Sequence, residues 1–265
     1  MRAVWCNDIH LDFLDRKAVD LYVGSIAEMT PDVVLVAGDI STARRITDHL
    51  GRMEELIDAP ILFVLGNHDF YHGSISDVRK RVGRLCHRSQ KLHWLNETGV
   101  YRLSRQTALV GHDGWGDARE GNYQNSPVAL SDFFLIEELT DLPREELVRV
   151  LRRLGDESAS HFRNVLPQAL ASHRKVVALT HVPPFREATW YDGEISNDNW
   201  LPFFCGKAAG DAMKDIMSAH PEGELTVLCG HTHGEGQCQI LPNLRVVTGG
   251  ARYGNPGIQP ILELD

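Results

Sequence analysis

Five short segments carry side chains able to hold metal ions: Asp8-Ile9-His10, Gly38-Asp39, Gly66-Asn67-His68-Asp69, His181 ahead of Val182-Pro183-Pro184, and Gly230-His231-Thr232-His233. Together they offer enough carboxylate, imidazole and amide donors for two ions. Mixed nitrogen and oxygen ligands suit divalent first-row metals such as manganese, iron, zinc or nickel, and the donor types do not choose among these. Asp8 and His10 are two apart, so a continuing strand would turn both to one side, where one ion could take both. The same spacing lets His231 and His233 reach one site. Asp39 has two carboxylate oxygens with which to bridge two ions, and Asn67 adds a neutral amide oxygen. Two divalent ions, offset by two aspartates and a bridging hydroxide, leave a positive excess that suits a phosphorylated substrate. Such a pair acidifies bound water and stabilises the attacking and leaving oxygens of an in-line displacement. His68 is not needed as a ligand and is free to protonate the leaving oxygen, with Asp69 orienting or polarising its ring.

Each segment follows an apolar run: Ala3 to Cys6, Val33 to Ala37, Ile61 to Leu65, Val176 to Leu179 and Leu225 to Cys229. Continuous β-branched and aliphatic runs are how strands buried on both faces read, and open α/β sheets hold ligands outside the carboxyl ends of their strands. Helical periodicity over Asp15 to Met29, with further helices expected across Arg44 to Ile57 and Ser74 to Cys86, gives the alternation a parallel sheet requires. Leu92 to Leu95 and Val100 to Leu103 flank Asn96-Glu97-Thr98-Gly99, and Thr107 to Gly111 follows, which suggests short strands and hairpins and the start of a second sheet. Gly114 to Asn125 reads as loop. A short helix is expected from Ser131 to Leu139. A longer one starts near Asp141 as N-cap, with Pro143 just inside, and runs towards Ser172 with a kink or break at Pro167. Residues 183–205 combine two successive prolines with Phe185, Trp190, Tyr191, Trp200, Phe203 and Phe204, a long loop of functional composition. A helix over Gly206 to Ala219 and short strands from Gln237 to Leu264 complete the chain. One domain, 1–265, with a mainly helical insertion at about 116–173 and a substrate-side loop at about 183–205, accounts for this order.

In this order the segments D-x-H, G-D, G-N-H-[DE], H and G-H-x-H resemble the signature of the calcineurin-like metallophosphoesterases, each intact between residues 8 and 233. The resemblance implies an α/β fold, a four-layer sandwich of two β-sheets flanked by helices, with the metals at the strand ends. It implies that Asp8, His10, Asp39 and His233 bind one ion and Asp39, Asn67, His181 and His231 the other, while His68 sits over the phosphate. Asn7 stands where many members carry a small serine. The expected activity is hydrolysis of a small phosphomonoester or phosphodiester at a dinuclear centre, a bridging hydroxide attacking and His68 donating the proton. A cyclic-nucleotide or nucleic-acid phosphodiesterase is the alternative within this chemistry. Outside it stands a non-catalytic metal-bound scaffold protein, which loss of a ligand would mark; none is lost.

The 265 residues are 43 % hydrophobic and 24 % charged, an ordinary globular composition. A net charge of −9 makes long nucleic acid an unfavourable partner, because backbone binding rests on clustered Lys and Arg. It does not oppose a small phosphorylated substrate. No apolar stretch approaches the roughly 20 residues that cross a bilayer, and the first strand leaves no room for a signal peptide, so no membrane partner and a cytoplasmic location are expected. The five cysteines are irregularly spaced and read as free thiols. His72, His112, Trp190, Tyr191 and Arg252 are candidates for substrate contact, with ordinary loop or packing roles as the competing explanation. No feature assigns an oligomeric state.

Overall fold

The computed structural model describes residues 1–264. In chain order its elements are β1 (Arg2–Cys6), α1 (Arg16–Glu28), β2 (Val33–Ala37), α2 (Ile46–Leu56), β3 (Ile61–Val64), α3 (Ile75–Cys86), β4 (Leu92–Trp94), α4 (Leu95–Thr98), β5 (Tyr101–Arg102), β6 (Thr107–His112), α5 (Asp132–Leu135), α6 (Arg144–Leu170), β7 (Lys175–Thr180), β8 (Trp190–Tyr191), β9 (Glu194–Ile195), α7 (Leu201–Phe204), α8 (Lys207–Ala219), β10 (Glu224–Cys229), β11 (Gly236–Leu241), β12 (Leu244–Thr248) and β13 (Leu262–Glu263). One sheet has the order β13-β1-β2-β3-β4 and the other β11-β12-β10-β7-β6-β5. The β1, β2 and β3 strands run parallel, as do β6, β7, β10 and β12.

The apolar runs are continuous because both faces of each central strand are covered. Successive side chains point to opposite faces: Ala3, Trp5, Leu35, Ala37, Leu62 and Val64 pack with Leu109, Val177, Leu179 and Leu228 between the two sheets. Val4, Cys6, Val34, Val36 and Phe63 pack outward with residues of α1, α2 and α3. On the far side, Val110, Val176, Ala178, Val227 and Val246 meet Phe162 and Leu166 of α6 and Met213 and Met217 of α8. The result is the expected order of helices, sheet, sheet and helices.

Several expectations need correction. Leu92 to Trp94 pairs parallel with β3 as an edge of the first sheet, and Leu95 to Thr98 is a helical turn ending at Gly99 with φ 72°. Asn96 to Gly99 is therefore a crossing from one sheet to the other, while the hairpin of this stretch joins β5 to β6 and opens the second sheet as expected. Helix α6 does not start at Asp141, whose φ of 57° is left-handed, but at Arg144 with Pro143 as N-cap. Pro167 neither breaks nor ends it: the helix continues to Leu170 while Leu166 and Ala169 stay buried against the second sheet. Only Asp132 to Leu135 of the shorter expected helix forms. The backbone beyond it pairs elsewhere, through a bridge of Ile136 to Gly73 and a bond from Glu137 N to Gly73 O. Residues 183–205 are more regular than expected, holding the β8–β9 hairpin and α7. Among the described residues no helix is long and apolar enough to cross a membrane, and all five cysteines are free.

One buried polar contact makes this fold sensitive to acid. His49 on α2 is buried, and its Nδ1 lies 2.7 Å from Ser41 Oγ. Burial first, and then the nearby Arg45, push its pKa down to about 4, whereas an unfolded histidine titrates near 6.5. The unfolded chain thus binds more protons between these values. The contribution is complete above about pH 6.5 and is lost as pH falls towards 4, a change of roughly 1 to 3 kcal/mol. Urea unfolding should show a lower midpoint at pH 5 than at pH 7, and His49→Gln should reduce that difference, other buried imidazoles supplying the rest; an unchanged difference would remove His49 as a contributor.

Candidate metal centre

The five segments leave the carboxyl ends of β1, β2, β3, β7 and β10, so donors from two sheets meet at one end of the sandwich. Strand geometry does not continue into them. Asp8, His10, Asp39, His231 and His233 all adopt left-handed backbone, with φ of 48°, 40°, 49°, 71° and 60°. Convergence of Asp8 with His10 therefore comes from two tight turns and not from strand alternation. Such residues cost about 1 to 2 kcal/mol each, and neighbouring loops hold them: Asp8 N donates to Gly38 O, His10 N to Asp39 O, and Ala251 N to His233 O. The motif glycines admit the close approach. At Gly66 a Cβ would collide with Asp39 Oδ1 and His181 Nε2, and at Gly230 with Asp8 Oδ2.

Two donor clusters result. In the first, Asp8, His10, Asp39 and His233 each offer one ligand atom, all within 4.8 Å of one another. The Nε2 atoms of His10 and His233 are 3.2 Å apart. In the second, Asn67 Oδ1 lies 3.1 Å from His181 Nε2 and 3.0 Å from His231 Nδ1, and Asp39 Oδ1 lies 3.3 Å from His181 Nε2. Asp39 joins the clusters, since its Oδ2 is 3.7 Å from His10 Nε2. The two imidazoles of the last segment, expected from spacing alone to reach one site, divide: His231 joins the second cluster and His233 the first.

The ring nitrogens on the outer side fix which nitrogen faces inward. His181 Nδ1 is 2.9 Å from Ala37 O, and His231 Nε2 is 3.2 Å from Phe203 O. A carbonyl only accepts, so each outer nitrogen carries the proton and the inner atoms, His181 Nε2 and His231 Nδ1, are left as lone pairs 3.2 Å apart. Facing lone pairs repel unless a proton or a cation lies between them, and this arrangement is how metal-binding histidines are oriented. The charges agree. Burial, and then neighbouring imidazoles, push both His10 and His231 down to about 3, which keeps them neutral. Burial alone would raise Asp39, but the imidazoles of His181, His68 and His10 hold it well below the usual carboxylate range. Burial would lower His181, yet Asp39 raises it to about 10, the proton standing where a cation would serve. The donor set thus fits divalent metal.

Further residues position the donors. Asn7 Nδ2 donates to Asp8 Oδ2 at 2.6 Å and to Gly249 O at 3.0 Å, a role a serine at that position would not fill in the same way. Asp132 Oδ1 accepts from Asn67 Nδ2 at 2.9 Å and from the Tyr71 hydroxyl at 2.6 Å, which turns Asn67 Oδ1 towards the imidazoles. Tyr71 stacks on His68 with centroids 4.1 Å apart and planes 28° from parallel. Asp69 is corrected: its fully buried carboxylate accepts from Ser41 N at 2.7 Å and Gly66 N at 2.8 Å. It ties the loops after β2 and β3 together and does not orient the His68 ring.

The candidates for substrate contact fare unevenly. Among the described residues none of His72, His112, Trp190 and Tyr191 makes a hydrogen bond or ring contact with a donor. His72 is exposed with φ 63°. His112 is buried against His161 of α6, and its Nδ1 accepts from Gly114 N. Trp190 lies where a Cβ on Gly236 would stand, packing under the loop that carries His233, and Tyr191 is exposed on the hairpin. Arg252 does lie near, lining with His233 a cavity of about 450 Å³. Sequence reasoning passed over Tyr253, Asp132 and Phe13; the first two stand outside every motif and reach the site across more than sixty residues of chain.

A family profile for the calcineurin-like phosphoesterases matches residues 1–235. The chain belongs to the calcineurin-like phosphoesterase family. The buried Asp8, His10, Asp39 and His233 form a donor set that could hold a metal ion. Among solved structures, a phosphopantetheinyl hydrolase from Mycobacterium tuberculosis is similar with a TM-score of 0.67 at 16 % identity, over 94 % of this chain and 89 % of that one. A dimetal phosphatase from Danio rerio is similar with a TM-score of 0.58 at 14 % identity, over 94 % and 87 %. These likenesses show the shared fold. A Danio rerio transmembrane protein with a metallophosphoesterase domain is 32 % identical over 81 residues, 28 % of this chain and 18 % of that protein.

If Asp132 orients the Asn67 amide, Asp132→Ala should weaken metal binding roughly 10- to 100-fold while far-ultraviolet dichroism stays native. Competition with a chelator measures it; undiminished affinity would show that Asn67 is oriented without Asp132.

Proposed function

We propose that this phosphoesterase hydrolyses small phosphomonoesters or phosphodiesters at a dinuclear centre. Asp8, His10, Asp39 and His233 hold one divalent ion, and Asp39, Asn67, His181 and His231 hold the other. What carries the reading is the pair of donor clusters joined by the two oxygens of Asp39. Manganese, iron, zinc and nickel all suit such nitrogen and oxygen donors. Bound there, two divalent ions supply Lewis-acid stabilisation of the phosphoryl oxygens and an acidified water nucleophile. The neutral amide of Asn67 limits the negative charge that the protein brings, leaving the site attractive to a phosphate. Fold likeness to a dimetal phosphatase supports the same chemistry.

His68 is the proton donor to the leaving oxygen. Its Nε2 is 3.9 Å from Asp39 Oδ2, close to both clusters, and its side chain stays 16 % exposed and so open to a substrate. Its backbone N–H donates to Asp39 Oδ1 at 2.8 Å, which fixes the ring's root, while the stacked Tyr71 fixes its plane. Positioned proton transfer of this kind is worth about 10²- to 10⁴-fold in rate.

Metal analysis and kinetics separate the roles. Asp39→Ala and Asn67→Ala should lose bound metal and, with it, hydrolysis of p-nitrophenyl and bis-p-nitrophenyl phosphate. His68→Ala should retain metal and lose roughly 10²- to 10⁴-fold in rate on an alkyl phosphate, whose poor leaving group needs the proton. A full rate in His68→Ala would refute the acid role, and wild-type protein binding no metal would refute the dinuclear reading.

A further inference from the structure

Two aromatic pairs stand at the mouth of the donor clusters, one at each end. At the first cluster, Tyr253 lies over His10 and His233, with ring centroids 4.5 and 4.7 Å apart, and Phe13 backs it at 4.9 Å. At the second, Trp200 packs on Phe204 at 5.1 Å, and Phe204 meets the edge of His231 at 5.1 Å. Tyr253 is 50 % exposed and Phe13 55 %. Among the described residues every ring contact of Tyr253 is with His10, His68, His233 or Phe13, and it joins none of the hydrophobic core clusters. Half-exposed rings beside the donors offer a surface on which a planar group can lie.

His68 distinguishes the two ends. The Tyr253 hydroxyl is 3.4 Å from His68 Nε2, the atom that protonates the leaving oxygen in the reaction proposed above. His68 also stands 4.6 Å from the His10 ring, at the first cluster. A group departing from phosphorus towards His68 therefore leaves along the Tyr253 face and away from Trp200. The geometry points to Tyr253, backed by Phe13, as the wall of a leaving-group subsite that selects phosphoesters whose leaving group is a planar aromatic. Tyr253 determines that preference by stacking. The inference rests on the dinuclear reading and adds the substrate class to it.

Binding of non-hydrolysable mimics tests it without turnover. Benzylphosphonate and ethylphosphonate each replace the ester oxygen by a methylene, and calorimetry on manganese-loaded protein gives both affinities. Wild type should favour benzylphosphonate by roughly tenfold, the scale of one aromatic stack plus the apolar area that it covers. Tyr253→Leu should cut that ratio to about threefold or less, Tyr253→Phe should preserve it because the ring remains, and Trp200→Leu should leave it unchanged. A ratio near one in wild type, its survival in Tyr253→Leu, or its loss in Trp200→Leu would each overturn the assignment. Elemental analysis of the same samples separates the two layers of the argument. Protein with two metal ions but no preference overturns the subsite alone, and protein that takes up no metal overturns the subsite together with the reading beneath it.

Discussion

The inner nitrogens of His181 and His231 face each other across 3.2 Å, an approach that needs a proton or a cation between them. Each ring is committed by the carbonyl behind it, Ala37 O for one and Phe203 O for the other. Without a positive charge between them the arrangement is repulsive and buried, a combination that low dielectric makes expensive. The same logic applies to Asp39, whose two oxygens face two sets of imidazoles while it is almost wholly buried. A folded chain that spends stability to hold such groups together is built around a cation.

The constraint explains where the backbone is strained. Five of the seven donors have positive φ, at about 1 to 2 kcal/mol each, a sum that would consume much of an ordinary domain's net stability. Strain of this kind persists only where the surroundings over-determine it. Here the surroundings are two sheets packed face to face by Trp5, Leu35, Leu62 and Leu179. The loops at their ends are stitched by backbone bonds and by the buried carboxylate of Asp69. Rigid strands thus bear the cost that their terminal turns impose.

What could be read from the chain divides along the same line. The donors were legible because each ends a run of buried strand, and a strand covered on both faces leaves an unmistakable apolar signature. How they converge was not legible, because left-handed turns at Asp8 and His10, and not strand alternation, bring the two to one cluster. Asp132 was hidden inside a stretch that scans as helix, yet only four residues of it are helical, and its partners Asn67 and Tyr71 lie 65 and 61 positions away. Tyr253 sits in a glycine-rich tail with no periodicity, and its contact with His68 spans 185 positions. Pairwise contacts at such separations leave no local trace in one sequence. Pro167 misled in the opposite sense, since tertiary packing of Leu166 and Ala169 outweighed one missing helical bond.

Chemistry and selectivity accordingly occupy different parts of the chain. The donors are attached to strand ends that cannot move without breaking a shared core. The residues that face outward from them belong instead to turns: Phe13 to the short turn after His10, Trp200 and Phe204 to the segment around α7, and Tyr253 to the loop between β12 and β13. These turns are not independent of the donors, since Phe204 meets the His231 ring and Tyr253 the rings of His10 and His233, but none of them carries a donor. A fold shared at 14 to 16 % identity does not fix function, which lives in the site that its loops build. In the leaving-group assignment proposed above, selectivity rests on rings carried by turns, Tyr253 first, and the chemistry on donors fixed to strand ends.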